Sequence, residues 1–240
     1  MLLPTEYNLI FWAYGKHDPT KIVLEINEFL HQYGNNYMPK ILAGKEVVLS
    51  PVSLRNELKA WGNEEGMAVG LKSLNGIVLR VTTNDKEYKH SKFPDTLRIG
   101  FDYKHLIGIE PTLIFGQLQD IFNFCLKIFL PYYGYGNKSG EINSSPERRQ
   151  LRKKIDTDKV PVAIEWFNFF GPDWVQRFGG KSKLLSAPVF KAKPVEELGG
   201  VTLILQEAPF DYMNPNHISN RQKVEAYLNL EYLQQLHQKK

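Results

Sequence analysis

The stretch from Thr112 to Leu130 constrains this chain most. Apolar side chains recur at Ile114, Leu118, Ile121, Phe122, Cys125, Ile128 and Phe129, the spacing of one helical face, and Leu113, Phe124 and Leu126 fill the other faces. A helix apolar around most of its circumference must be enclosed, so this spacing predicts a buried helix at the centre of a core. It does not read as a membrane span. Asn123 and Lys127 interrupt its most apolar part, Ile121 to Leu130, and Pro131 stops it well short of the ~20 apolar residues a span requires.

Helix starts elsewhere are marked by a capping residue followed by proline. Asp18-Pro19 opens a run with Ile22, Val23, Ile26, Phe29, Leu30 and Tyr33 at helical spacing, closed by Gly34; Ser50-Pro51 opens a shorter one through Leu54, Leu58 and Trp61, closed by Gly62. Asn214-Pro215 opens a terminal helix through Ile218, Val224, Tyr227 and Leu228 toward Leu236. Strands are predicted at Tyr7–Tyr14, Met67–Leu71, Ile77–Thr82, Leu97–Lys104 with one wet face, Val160–Phe167, Val189–Ala192 and Val201–Glu207, with Asn84 to Pro94 as a hairpin loop. A short helix around Asp173 to Phe178 ends at Gly179-Gly180.

These elements predict one α+β domain over residues 1–240 with a mostly antiparallel sheet. Its halves, about 1–131 and 159–240, are joined by a polar, basic insertion over 132–158. The order strand, helix, strands, helix occurs in both halves, as an internal duplication would give, although no residue motif repeats with it. A chain of 240 residues buries a core without staples, and the single cysteine, Cys125, reads as a small buried hydrophobe. The opening Met1-Leu2-Leu3-Pro4-Thr5-Glu6 lacks the pattern of a secretory signal, so cytoplasmic residence is the expectation.

The charge balance is mild: 30 basic against 26 acidic residues, a net charge of +4, short of a dedicated nucleic-acid binder. The sharpest local cluster is Arg148, Arg149, Arg152, Lys153 and Lys154, which must face water or an acidic partner and forms the candidate partner-binding site. Its bland alternative is a solvated loop. A nucleic-acid module using the same cluster is a further alternative, weakened because no aromatic residue lies within 148–154 to stack on bases.

No catalytic centre, cofactor site or metal site is predicted. Gly180-Lys181-Ser182 ends like a phosphate loop, but the earlier glycine would fall at Val175 and the run follows a helix where a strand is required. Asp95 with Asp102 and Lys104 resembles the acidic pair and lysine of a divalent-metal nuclease. Seven residues on one continuous strand, however, separate the carboxylates by ~23 Å, whereas shared metal ligands must converge within a few Å. The histidines at 17, 31, 90, 105, 217 and 237 show no metal-binding spacing and read mostly as surface residues.

The C-terminal third carries Trp166-Phe167-Asn168-Phe169-Phe170, Phe178-Gly179-Gly180, Leu198-Gly199-Gly200-Val201-Thr202-Leu203-Ile204-Leu205 and Asn214-Pro215-Asn216-His217. This series resembles the bacterial polymorphic-toxin immunity protein 52 family over about the last eighty residues. In the N-terminal half only the opening strand and first helix agree. The resemblance implies a non-enzymatic protein whose partner is a cognate toxin or other effector, which it neutralises by occlusion, and it supplies no catalytic residues. Inhibitors of nucleic-acid-degrading toxins are often acidic, since they cover basic clefts, and this chain is mildly basic. The expectation is therefore either a target that is another kind of toxin or recruitment to a different task such as phage defence.

Overall fold

A computed structural model describes residues 7–15, 17–42, 45–60, 68–83, 94–101, 111–138, 145–208 and 210–239. The cap-plus-proline starts form as the chemistry requires. Asp18 accepts hydrogen bonds from the amides of Thr20 (2.9 Å) and Lys21 (3.4 Å) to begin α1 (Pro19–His31), and Ser50 accepts from the Ser53 amide (3.1 Å) to begin α2 (Pro51–Ala60). Each such cap is worth about 1 kcal/mol because it satisfies an otherwise orphaned helix N–H. Trp61 and Gly62, the expected end of α2, lie outside the described residues, as do Met67, His90, Asp102 to His105, and all of the expected 84–94 loop except Pro94.

Two compact units make up the chain, Met1–Pro131 and Tyr132–Lys240. The first contains β1 (Tyr7–Ala13), α1, β2 (Ile41–Leu42), β3 (Lys45–Glu46), α2, β4 (Ala68–Lys72), β5 (Val78–Thr82), β6 (Asp95–Phe101) and α3 (Pro111–Phe129). Its strands run in the order β3-β2-β4-β5-β6-β1, each antiparallel to its neighbour. Registering Phe11 with Leu97 and Leu9 with Ile99 on one side of β6, and Val81 and Leu79 with the same pair on the other, places six fully buried apolar side chains in one layer. The apolar helix predicted at 112–130 is α3. Leu118, Ile121, Phe122, Cys125, Leu126 and Phe129 are buried, Phe122 lies against Phe11 with ring centroids 5.0 Å apart, and Phe124 stacks on Phe29 of α1 at 4.1 Å. The second face of β6 is drier than its alternation suggests. Gly100 is buried and Arg98 half-buried, its Nε donating to Oδ1 of the buried Asn8 at 2.8 Å.

The second unit contains β7 (Tyr133–Lys138), α4 (Pro146–Lys154), β8 (Phe167–Phe170), α5 (Pro172–Arg177), α6 (Lys181–Leu185), β9 (Lys191–Val195), β10 (Gly200–Ile204), α7 (Pro215–Tyr227) and α8 (Leu230–Leu236). Its strand order is β7-β8-β10-β9, again antiparallel throughout. Both units are thus α+β with antiparallel strands, although the opening strand pairs with the last strand in the first unit and with the next strand in the second. The stretch 132–158, expected as an irregular insertion, holds β7 and α4. Gly134 and Gly136 made β7 read as loop, yet they sit opposite Phe169 and Phe167 of β8, whose rings supply the cover the glycines lack.

Strand structure at 160–166 is not formed, despite the alternation of Val160, Val162, Ile164 and Trp166; pairing begins only at Phe167. The segment is buried, but side chains satisfy its backbone in place of a neighbouring strand. Gln234 Nε2 donates to the carbonyls of Pro161 (2.9 Å) and Val162 (3.0 Å), Glu225 Oε1 accepts from the Ile164 amide (3.0 Å), and Asn168 exchanges bonds with both backbone groups of Glu165. The strand expected at Val189–Ala192 lies slightly later, at β9. Gly179 and Gly180 close α5 with the paired bonds of a Schellman motif, Gly180 N–H to Val175 C=O (2.8 Å) and Gly179 N–H to Gln176 C=O (3.0 Å). Both glycines have positive φ (93° and 100°), which accounts for the Gly-Gly-Lys-Ser run as a helix terminator.

Asn214 caps α7, accepting from the Asn216 amide at 3.0 Å. The single terminal helix expected toward Leu236 is broken: Asn229, at φ 55°, takes the left-handed conformation and starts α8. At the margin of this unit's strands, β9 carries Lys191, Lys193 and Pro194, with Lys193 and Pro194 exposed.

Trp166 is buried (2% exposed) although outside a strand, with its indole N–H donating to the Gln206 carbonyl at 2.8 Å. Trp166→Ala is expected to cost ~3–5 kcal/mol in urea unfolding, and Trp166→Phe clearly less, because it keeps most of the ring volume. An unchanged unfolding midpoint for the alanine variant would remove Trp166 from the core.

Candidate functional site

The basic cluster is a helix. Ser145-Pro146 is a further cap-plus-proline start: the Ser145 hydroxyl accepts from the Arg148 amide (3.3 Å) and donates to Glu147 (2.9 Å). The Glu147 carboxyl is held below its usual range by its own backbone amide and by that hydroxyl. Arg148, Leu151 and Ile155 recur on the inner face, the first two half-buried and Ile155 fully buried. Arg149, Arg152, Lys153 and Lys154 are exposed. Three of these charges, Arg152, Lys153 and Lys154, occupy the last turn, where the helix dipole favours cations. Helix stability thus explains part of the cluster. It does not require Arg149, which stands in the first half of α4.

Beside α4 lies an open groove of about 690 Å³, walled by Arg148 and Leu151 on one side and by the end of α7 and the length of α8 on the other. Val162 lies in it between them, and Tyr232 of α8 projects into it while 61% exposed. The two walls are tied together. The Asp156 amide donates to the His237 carbonyl (2.8 Å), the Lys239 amide donates to the Lys154 carbonyl (2.7 Å), and Ile155 bridges to Gln238. These backbone bonds clip the C-terminal end of α4 to the run that follows α8. Tyr232 and Leu236, four residues apart on α8, are both largely exposed (61% and 58%).

Deeper in this unit, Glu165 and Arg221 are buried charges whose nearest atoms are 4.0 Å apart, and the Arg221 guanidinium lies 3.6 Å from the centroid of the buried Phe210 ring. A cation over an aromatic face replaces part of its lost hydration, so this arrangement fits a structural role for Arg221.

The nuclease constellation is not assembled among the described residues. Asp95 is buried at the start of one unbroken strand, opposite Ala13, and Asp102 and Lys104 lie outside the described residues. Asp95 instead meets His17, a contact that sequence reading missed: His17 Nδ1 is 2.8 Å from Asp95 Oδ2, Nε2 is 3.0 Å from the Phe129 carbonyl, and the ring stacks on Phe129. Seventy-eight residues separate the pair, so no local spacing could announce it. With a carboxylate oxygen against one ring nitrogen and a backbone carbonyl against the other, neither is open to a substrate proton. His17 is therefore not the surface residue expected; its side chain is 12% exposed. His31 is exposed, and His217 and His237 are half-buried. Cys125 is fully buried and its thiol pKa is pushed up by burial, the opposite of activation. No group of three His, Cys, Asp or Glu side chains that could hold a metal ion occurs among the described residues, and no described helix is long and apolar enough to cross a membrane.

No family model and no curated protein sequence matches the chain. Among solved structures it is similar to a Pseudomonas aeruginosa T6SS protein, over 93% of this chain and 72% of that one, with a TM-score of 0.59 and 12% sequence identity. At that identity the likeness speaks for the fold. The resemblance to the immunity protein 52 family has no family match behind it.

Asp156 gives the clip a pH dependence. Desolvation opposes its charge, but the hydrogen bond from Lys159 (3.2 Å), the Asp158 amide and the charges of Lys159 and Lys239 outweigh it and hold the carboxyl below its usual range. A carboxyl depressed in the folded state adds stability that is present above its unfolded value, about 4, and lost as pH falls through the lower folded value. Thermal unfolding followed against pH is expected to show wild type above Asp156→Asn at neutral pH, with the two converging in acid. A gap that widens in acid would reverse the assignment.

Proposed function

We propose that this chain is a non-enzymatic binding protein of a bacterial conflict system, which neutralises an effector protein by covering it in the cytoplasm. The observation that carries the reading is the exposed cationic face of α4, Arg149, Arg152 and Lys153, standing beside an open groove with an exposed tyrosine at its wall. Basic and aromatic side chains at a partly apolar surface are the composition of protein-binding anchors. Two further facts lean the same way. The His17–Asp95 pair is closed at both ring nitrogens, and a protein of similar fold is a Pseudomonas aeruginosa T6SS protein. An immunity role of the protein 52 kind, or its recruitment to antiviral defence, is the specific form of this proposal.

Reversing Arg149, Arg152 and Lys153 to Glu is expected to leave the melting temperature nearly unchanged, since these side chains are exposed, and to weaken a cognate effector chiefly by slowing association. The test is co-expression with the toxin-like product of an adjacent gene, with growth rescue and association rate as readouts. Rescue by the triple variant equal to wild type would remove α4 from the interface.

A nucleic-acid module remains the competing reading because the same cluster is cationic. The purified protein is expected to cleave neither DNA nor RNA with magnesium or manganese, and to bind neither appreciably at physiological salt. Steeply salt-dependent binding lost in the triple variant would favour the competitor. Metal-dependent cleavage abolished by Asp102→Ala would favour the nuclease.

A further inference from the structure

We infer that the strands of the first unit present a site for a phosphoryl dianion, held between Arg80 and Arg98 on the sheet face opposite the apolar layer. The inference goes beyond the binding reading above and is independent of it, since α4 belongs to the other unit.

Strand register brings the two arginines together. Arg80 of β5 stands directly opposite Arg98 of β6, and Gly70 of β4 and Ile10 of β1 continue the row on either side. Directly opposite residues share a face with their Cβ atoms ~4.5–5.5 Å apart, a separation at which like charges repel. Lys72 of β4 pairs with Val78, on the diagonal from Arg80, and adds a third long cationic side chain to the same face.

Among the described residues nothing offsets this charge. No acidic residue occupies this face on β1, β4, β5 or β6; Asp95 falls on the other face, opposite Ala13. Arg80 is exposed and has no hydrogen-bond or ion-pair partner among the described residues, and Arg98 bonds only to Asn8. That bond, from Nε to the buried Asn8 at 2.8 Å, fixes the Arg98 guanidinium and leaves the N–H groups of its two terminal nitrogens for another acceptor. A cross-strand pair that breaks a local charge rule, with no compensation from the surrounding fold, marks a place where the compensation comes from a ligand.

The charge selects the class of ligand. Two guanidinium forks match a phosphate monoester, which offers three terminal oxygens and close to two negative charges at neutral pH. One carboxylate fills one fork and leaves the second cation uncompensated. Nucleic acid is a poorer match, because its backbone phosphates carry one charge each and a bound strand needs a track of cations along it. Thr82 and Thr96, half-buried and directly opposite one another, add hydroxyl donors one step along the face. Ile10 and the half-buried Trp12 border Arg98 with apolar surface for the organic part of an ester.

The test is titration of the full chain with phenyl phosphate at constant ionic strength, followed by NMR. Saturable binding is expected, about tenfold or more weaker in Arg80→Ala. It is also expected to be about tenfold weaker at pH 5 than at pH 7, because the ester loses its second charge near pH 6 while lysine and arginine keep theirs throughout. Arg80 is exposed, so the melting temperature of its variants should hold, and Arg80→Lys, which keeps the charge and loses the fork, should bind with intermediate affinity. Absence of saturation, an affinity unchanged in Arg80→Ala, or equal affinity for benzoate would overturn the inference. So would a DNA oligonucleotide with a 5′ hydroxyl that binds more tightly than the ester and loses that binding in Arg80→Ala, which would give the face to nucleic acid.

Discussion

Burying a backbone segment without a strand partner is the constraint on which the second unit turns. Residues 160–166 pass through the interior, and each buried N–H and C=O there must find a partner or cost on the order of 1–3 kcal/mol. Gln234 and Glu225 supply those partners from α8 and α7, so the two helices are positioned by hydrogen bonds to the segment as well as by packing. The groove follows from the same bonds. Val162 lines it, and Gln234 of α8 holds the Val162 carbonyl.

What sequence made legible was what local chemistry determines. Asp18-Pro19, Ser50-Pro51 and Asn214-Pro215 marked helix starts because a side-chain acceptor and a missing N–H act within one turn. The apolar run at 112–130 announced α3 because its burial does not depend on which elements enclose it. Other features were hidden by the same logic. Alternation at 160–166 reports which residues are buried but not whether the backbone meets a strand or the head of a glutamine. The glycines of β7 looked like a loop because their cover, Phe167 and Phe169, lies thirty-odd residues away on β8. α4 looked like a linker because its inner face is only Arg148, Leu151 and Ile155.

The candidate site was half legible. The five basic residues were visible as a cluster, and that they could not be core followed from charge alone. The division of labour among them was not. Arg148 turns into the groove, Arg149, Arg152 and Lys153 face outward, and the last turn gains from the helix dipole whatever it binds. Tyr232 carried no signal, because a tyrosine two residues into a terminal helix reads as part of an amphipathic face. The His17–Asp95 contact needed the register of β1 against β6, which brings Ala13 opposite Asp95.

The margin of the second unit bears on which of its surfaces another chain could meet. β9 ends its sheet with Lys191, Lys193 and Pro194, and a proline and lysines on an outer strand discourage another chain from adding alongside. Contacts with another chain are thereby shifted from main chain to side chain, onto helix surfaces that can be rewritten one residue at a time while the scaffold is inherited intact.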